Sequence, residues 1–158
     1  MSDHTIKECR VGCAGWSLGR NDAPSFPAAG SHLERYASVF NATEINSSFY
    51  REHKAPTYER WAQATPDGFR FSVKMPRTVT HDKRLQGADE EITRFAEQAS
   101  GLGKKLGWVL VQLPPKLEFD AASAEDFFAR LAGSVPCPIA CEARHASWFD
   151  APASALLE

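Results

Sequence analysis

Four short apolar, strand-like runs along the chain end, on one face, in polar or charged side chains. They are Thr43-Glu44-Ile45-Asn46, Phe69-Arg70-Phe71-Ser72-Val73-Lys74, Trp108-Val109-Leu110-Val111-Gln112 and Ile139-Ala140-Cys141-Glu142-Ala143-Arg144. Side chains alternate across a strand, so Glu44 shares a face with Asn46, Ser72 with Lys74, and Glu142 with Arg144. The opposite face carries Ile45, then Phe69, Phe71 and Val73, then Val109 and Val111, then Ile139 and Cys141. A helix layer is expected over that apolar face. The polar face runs toward the C-terminal ends of the strands, where parallel α/β folds hold their active sites.

Between these runs the period changes to that of a helix. Ser31 with Glu34 three residues on fits a capping box, and Leu33, Tyr36, Ala37 and Phe40 follow at helical spacing. Pro56 opens a second helix carrying Tyr58, Trp61 and Ala62, stopped near Pro66-Asp67-Gly68. Asp89 begins a third, with Ile92, Phe95, Ala96 and Ala99 on one face and Gly101 near its end. Ser123 is read as the cap of a fourth, which carries Phe127, Phe128 and Leu131, and a fifth starts at or just after Asp150. Strands are predicted over 42–46, 69–74, 106–112 and 138–143, and a further one over 10–16 ends in a Gly15-Trp16 turn. The Gly-, Pro-, Ser- and Asn-rich residues 17–30 read as a loop.

Strand and helix alternate more than four times, which predicts a parallel sheet with right-handed crossovers. An open doubly wound sheet of five strands fits 158 residues comfortably. A closed eight-stranded barrel typically takes about 250, although polar residues at inward strand ends are a barrel pattern. No Gly-x-Gly-x-x-Gly turn and no Walker-type loop is present, which removes the best evidence for a dinucleotide fold or a P-loop enzyme. No linker splits the chain, so residues 1–158 are read as a single domain.

The net charge of -2 supplies no global basic field, so charge does not favour non-specific nucleic-acid binding. Met1-Ser2-Asp3-His4 is polar and lacks the apolar core of a secretion signal. No run reaches the roughly 18 apolar residues of a membrane span, so no membrane association is expected and a soluble cytoplasmic protein is the default. Cys9, Cys13, Cys137 and Cys141 form two Cys-x-x-x-Cys pairs. Structural zinc sites more often use a two-residue gap, and reduced, mostly buried thiols are expected.

Taken in order, the motifs resemble a known family. Glu44-Ile45-Asn46-Ser47-Ser48-Phe49-Tyr50 is similar to the E-x-N-[ST]-[ST]-F-Y signature of the YecE-like family, the domain of unknown function 72. Gly12-Cys13-Ala14-Gly15-Trp16, Phe71-Ser72-Val73-Lys74-Met75-Pro76 with Thr80-His81, Leu106-Gly107 with Val111-Gln112-Leu113-Pro114-Pro115, and Glu142-Ala143-Arg144-His145-Ala146-Ser147-Trp148 extend the resemblance over about residues 11–150. It implies a parallel (β/α) barrel of TIM type of around 250 residues, here truncated after about five strand–helix units. It implies no established activity. Where members of the family often carry an aromatic-rich Tyr-Pro segment, this chain has Ser25-Phe26-Pro27.

The strand-end residues suggest the chemistry. Glu44 and Glu142 are candidates for an acid–base pair, against a structural role in which each is locked to Lys74 or Arg144. Lys74 is read as an electrostatic or structural lysine before a nucleophile, because neighbouring glutamates favour its charged form. Arg144 and Asn46 suit an oxygen-rich ligand, and Gln112 orients it or a neighbour. His81 and His145 lie just beyond two strands as proton-transfer groups or ligands. Trp16, Tyr50 and Trp148 are placed around the rim as stacking surfaces. Phe49 is read as core, and the basic run Lys74, Arg77, Lys83, Arg84 as a solvated surface or a phosphate-binding edge.

These residues lead to an enzyme acting by acid–base chemistry on a small anionic, phosphorylated or sugar-like molecule. The catalytic set is Glu44, Glu142 and His81. Asn46, Lys74, Gln112, Arg144, His145, Trp16, Tyr50 and Trp148 bind the substrate. The alternatives are a non-catalytic module for nucleic acid or a phosphorylated ligand, and a metal-dependent hydrolase or isomerase. No cofactor is predicted; a divalent metal belongs only to that last reading, and no His-x-x-x-His or Asp-x-His spacing supports it. Exposed edge strands predict self-association.

Overall fold

The structure, a computed structural model, describes residues 9–158. The polar N-terminus read at Met1-Ser2-Asp3-His4 lies outside the described residues. Strands β1 (Ala42–Ile45), β2 (Arg70–Lys74), β3 (Leu106–Gln112) and β4 (Ile139–Glu142) form one sheet in the order β1-β2-β3-β4, every pair parallel. Helices α1 (His32–Ala37), α2 (Ala55–Gln63), α3 (Asp89–Ala99), α4 (Ala121–Ser134) and α5 (Ala151–Leu157) alternate with them. The α/β class and the parallel sheet are as the alternation implies.

The sheet is not closed among the described residues, so a TIM-type barrel is not seen: eight strands close such a barrel, and four are paired here. The strand expected over 10–16 is reduced to one parallel bridge, Ala14 to Glu44. Two backbone bonds make it, Glu44 N–H to Cys13 O at 3.0 Å and Gly15 N–H to Glu44 O at 2.9 Å. Gly12 lets this segment approach, since a Cβ there would lie 1.9 Å from the Ala42 carbonyl oxygen.

The core follows the alternation. Ile45, Phe71, Val73, Val109 and Val111 are buried on one face of the sheet, in one cluster with Tyr58 of α2, Ile92 and Phe95 of α3, and Phe127 and Leu131 of α4. Truncating a fully buried phenylalanine such as Phe71 to alanine costs about 3–5 kcal/mol. The capping box at Ser31 and Glu34 is present. The fourth helix is capped by Asp120 rather than Ser123, because the Asp120 carboxylate accepts from the Ser123 backbone N–H at 2.9 Å. All four cysteines are free thiols, but Cys9 and Cys13 are exposed and Cys137 and Cys141 half-buried, not mostly buried as expected. Cys13 lies on the segment that only bridges the sheet, outside its packed interior.

One irregularity sets the phase of the site. Phe71 pairs with Leu106, yet Ser72 pairs with Trp108, so Gly107 is an extra residue in β3. A side chain at Gly107 would press on the Arg70 Cβ at 3.2 Å and the Phe71 carbonyl oxygen at 3.3 Å. A one-residue bulge reverses which face the following side chains occupy. Leu106 before it and Val109 and Val111 after it are therefore all buried, while Trp108, at 38% exposure, and the half-buried Leu110 and Gln112 take the other face.

Candidate functional site

The strand ends place Lys74, Gln112 and Glu142 at the last positions of β2, β3 and β4, with Asn46 just beyond β1. Lys74 is 8% exposed. Its Nζ donates to Asn46 Oδ1 at 3.1 Å and lies 4.6 Å from the centre of the Phe49 ring. Phe49 is buried as expected, and it is also the surface on which this lysine rests. The turn that brings it there is closed by Ser48, whose hydroxyl lies 2.8 Å from the Ile45 carbonyl oxygen and 2.7 Å from that of Lys74.

Gln112 pairs with Glu142 in the β3–β4 register. Its Nε2 donates to both carboxylate oxygens at 3.0 Å each. Arg144 adds Nε and Nη2 bonds to Glu142 Oε1 at 3.0 and 2.8 Å. Burial works against ionisation of Glu142, but the Gln112 and Arg144 hydrogen bonds and the charges of Arg144 and Lys74 outweigh it and lower its pKa. Glu44 is the reverse case. It is half-buried, and no hydrogen bond reaches its carboxylate among the described residues. Burial raises its pKa, Lys74 opposes that, and Glu142 adds to it.

His81 stands in the turn Thr78–Asp82 after β2, its ring perpendicular to Phe49 with centres 5.0 Å apart. Thr80 Oγ1 lies 2.8 Å from its Nδ1. Burial and then the charges of Arg77, Arg144 and Lys74 lower its pKa against the pull of Asp82. Glu44, Asn46, Lys74, His81, Gln112, Glu142 and Arg144 therefore interact as one group. Among the described residues no three His, Cys, Asp or Glu side chains gather as a metal-binding set.

The other candidates lie elsewhere. His145 caps the turn Ala146–Phe149, its Nδ1 accepting from the Ser147 N–H at 3.3 Å, with Ser147 Oγ at 2.9 Å. Trp148 is 3% exposed, donates to the Leu117 carbonyl at 2.9 Å and packs edge-on against Phe119. Trp16 meets Trp61 and Phe71 edge-on, in the layer between sheet and α2. Tyr50 is 74% exposed and touches the Phe49 ring. Of the basic run, Arg77 pairs with Asp82, Lys83 with Glu91, and Arg84 donates to the Lys116 carbonyl.

Three groups had no assigned role in the sequence reading. Ser48 and Thr80 are buried hydroxyls within a few residues of strand ends, and that position is the signal that marks them. His53, buried against Tyr58 and Trp61, lies 2.8 Å from Ser47 Oγ and steadies the loop after β1. No periodicity points to it.

No helix among the described residues is long and apolar enough to cross a membrane. The chain is similar to YunF of Bacillus subtilis, 30% identical over 152 residues, covering 90% of this chain and 52% of that protein. It is also similar to YecE of Escherichia coli K12, 38% identical over 82 residues, which are 52% of this chain and 30% of the relative. The chain thus spans about half the length, or less, of these relatives. A crystal structure of a DUF72 protein from Enterococcus faecalis superposes with a TM-score of 0.75 at 23% identity, over 92% of this chain and 54% of that one. One from Thermotoga maritima gives 0.73 at 26%, over 94% and 60%. The family described as "Protein of unknown function DUF72" matches residues 10–158, nearly the whole chain, and with the conserved fold of these neighbours this means that the chain belongs to the DUF72 family.

Proposed function

We propose that the sheet is an arc of a TIM-type (β/α) barrel and that its strand ends form an acid–base site for a small, oxygen-rich anion such as a phosphorylated sugar. Consecutive parallel strands with a polar face at their C-terminal ends support the arc. Four free thiols support a cytoplasmic location.

The observation that carries the reading is the contrast between the two glutamates. Environments that push two carboxyl groups apart separate an acid from a base. Glu142 is held ionised by Gln112 and Arg144, and Glu44 keeps its proton more readily, with Lys74 acting on both. In this reading Glu44 transfers the proton, Glu142 holds Arg144 or serves as the base, and Lys74 and Arg144 bind the anion while Asn46 and Gln112 orient it.

The test is turnover of a panel of sugar phosphates followed by NMR in deuterated buffer. Conversion or proton exchange should be lost in Glu44→Gln, with binding retained, and strongly reduced in Glu142→Gln. Undiminished turnover in Glu44→Gln would end the assignment. Anion binding without chemistry is the second reading, favoured by Glu142 having both oxygens already bonded. Under it Lys74→Met abolishes binding and no member of the panel is converted.

A further inference from the structure

The turn after β2 is built at a conformational cost around one imidazole. Residues Thr78–Asp82 form a π turn, a geometry frequent at functional sites. Arg84 and Leu85 then adopt left-handed φ values of 51° and 71° in succession, a conformation that is unfavourable for non-glycine residues. Leu85 is buried, and its N–H bonds back to the Val79 carbonyl at 3.0 Å. Between these features His81 is pinned by the fully buried Thr80 on one side and the Phe49 ring on the other.

Lys74 meets this imidazole through Phe49: its Nζ lies 4.6 Å from the centre of that ring, and His81 packs edge-on against the same ring with centres 5.0 Å apart. Arg77 stands at the start of the His81 turn, and the charges of Arg77, Arg144 and Lys74 together outweigh that of Asp82 in opposing the imidazolium form. The acid on its own turn, Asp82, is paired with Arg77 at 3.3 Å. On the α3 side Glu91 is paired with Lys83 at 2.7 Å. Glu142 is bonded to Gln112 and Arg144. No carboxylate hydrogen-bonds the ring among the described residues, so the imidazole itself has no acid partner there.

We propose that His81 is the proton-carrying member of an anion subsite shared with Lys74, Arg77 and Arg144. A tetrahedral dianion, the phosphate group of the substrate, enters among the cations, and the imidazole takes up one proton from the buffer as it does so. The inference rests on the anionic-substrate reading and adds to it the identity of the group that titrates on binding. Before the anion arrives, burial and the charges of Arg77, Arg144 and Lys74 oppose the imidazolium form against the pull of Asp82. Afterwards the dianion favours it, so binding and protonation reinforce one another. Between the free and loaded pKa values of His81, anion affinity falls as pH rises, by at most about tenfold per pH unit for one linked proton.

Sulfate is the probe, because it stays dianionic throughout the range in which histidine titrates and any proton taken up must go to the protein. Calorimetry of sulfate binding in two buffers of different ionisation enthalpy should show proton uptake approaching one per sulfate. The His81 ring resonances should move toward imidazolium values on adding sulfate. In His81→Gln the uptake should vanish and the affinity become flat with pH. Sulfate binding without uptake, or with the same uptake in His81→Gln, overturns the role of His81 and leaves the anion site standing. Absence of sulfate binding at low ionic strength, in a protein shown to be folded, overturns the anion reading and this inference together.

Discussion

Gln112 lays its side-chain amide across the Glu142 carboxylate, 3.0 Å from each oxygen, along a register pair of β3 and β4. The contact explains why a partly buried acid stays ionised. In Gln112→Leu the pKa of Glu142 should rise toward the ordinary carboxylate range, Arg144 and Lys74 continuing to hold it down. Stability at neutral pH should fall by about 1–2 kcal/mol. Carbon-13 NMR titration of the Glu142 carboxyl measures the first effect and urea unfolding the second. An unmoved titration would mean that Arg144 and Lys74 suffice.

Glu44 makes the opposite prediction. Its folded pKa lies above its unfolded one, so its contribution to stability is full below the ordinary carboxylate range and declines as pH rises through the raised value. Glu44→Gln removes that decline. The Tm of the variant relative to the parent should therefore be higher at pH 8 than at pH 4. A Tm difference that is flat with pH would show that Glu44 ionises in the folded chain as easily as in the unfolded one.

Ser48 joins two strand ends through one hydroxyl, 2.8 Å from the Ile45 carbonyl oxygen and 2.7 Å from that of Lys74. Its replacement by alanine leaves buried carbonyls short of a donor, at a cost of about 1–3 kcal/mol. Because the second carbonyl belongs to Lys74, anion affinity should fall as well. Unfolding and sulfate titration of the same Ser48→Ala sample separate the two effects, and a loss of stability with unchanged affinity would confine Ser48 to a structural role.

The outer edge of β4 has no strand partner among the described residues. Unpaired edges invite pairing with another chain, so sedimentation velocity of this 158-residue chain should show association that grows with concentration. Ala140 is exposed in the middle of β4, and Ala140→Lys should weaken that association, since a charge on an edge strand discourages it. A monomer at all concentrations would remove the edge as a contact.

The strand faces were legible because two-residue alternation survives in short runs. Asn46, Lys74, Gln112 and Glu142 were placed at one end of the sheet before their contacts were known. The rim aromatics were not legible, because loop residues have no period from which to read a direction. Trp16 and Trp148 lie within packed layers, and His145 serves its own turn. At the start of α4, Asp120 and Ser123 are both good capping residues, and only the chain's path decides between them. The segment over 10–16 reads as a strand but makes a single bridge, since pairing depends on neighbours that the local sequence does not describe.

Gly107 contributes no side chain to the site, and yet the chemistry of β3 depends on its presence. Remove that one residue and the strand is read out of frame: Val109 and Val111 turn toward the polar face, while Gln112 turns into the oil beneath the helices and lets go of Glu142. For this stretch the informative mutation is a deletion rather than an exchange of letters. A relative one residue shorter here would have to carry its amide at a neighbouring position to keep the same carboxylate in hand.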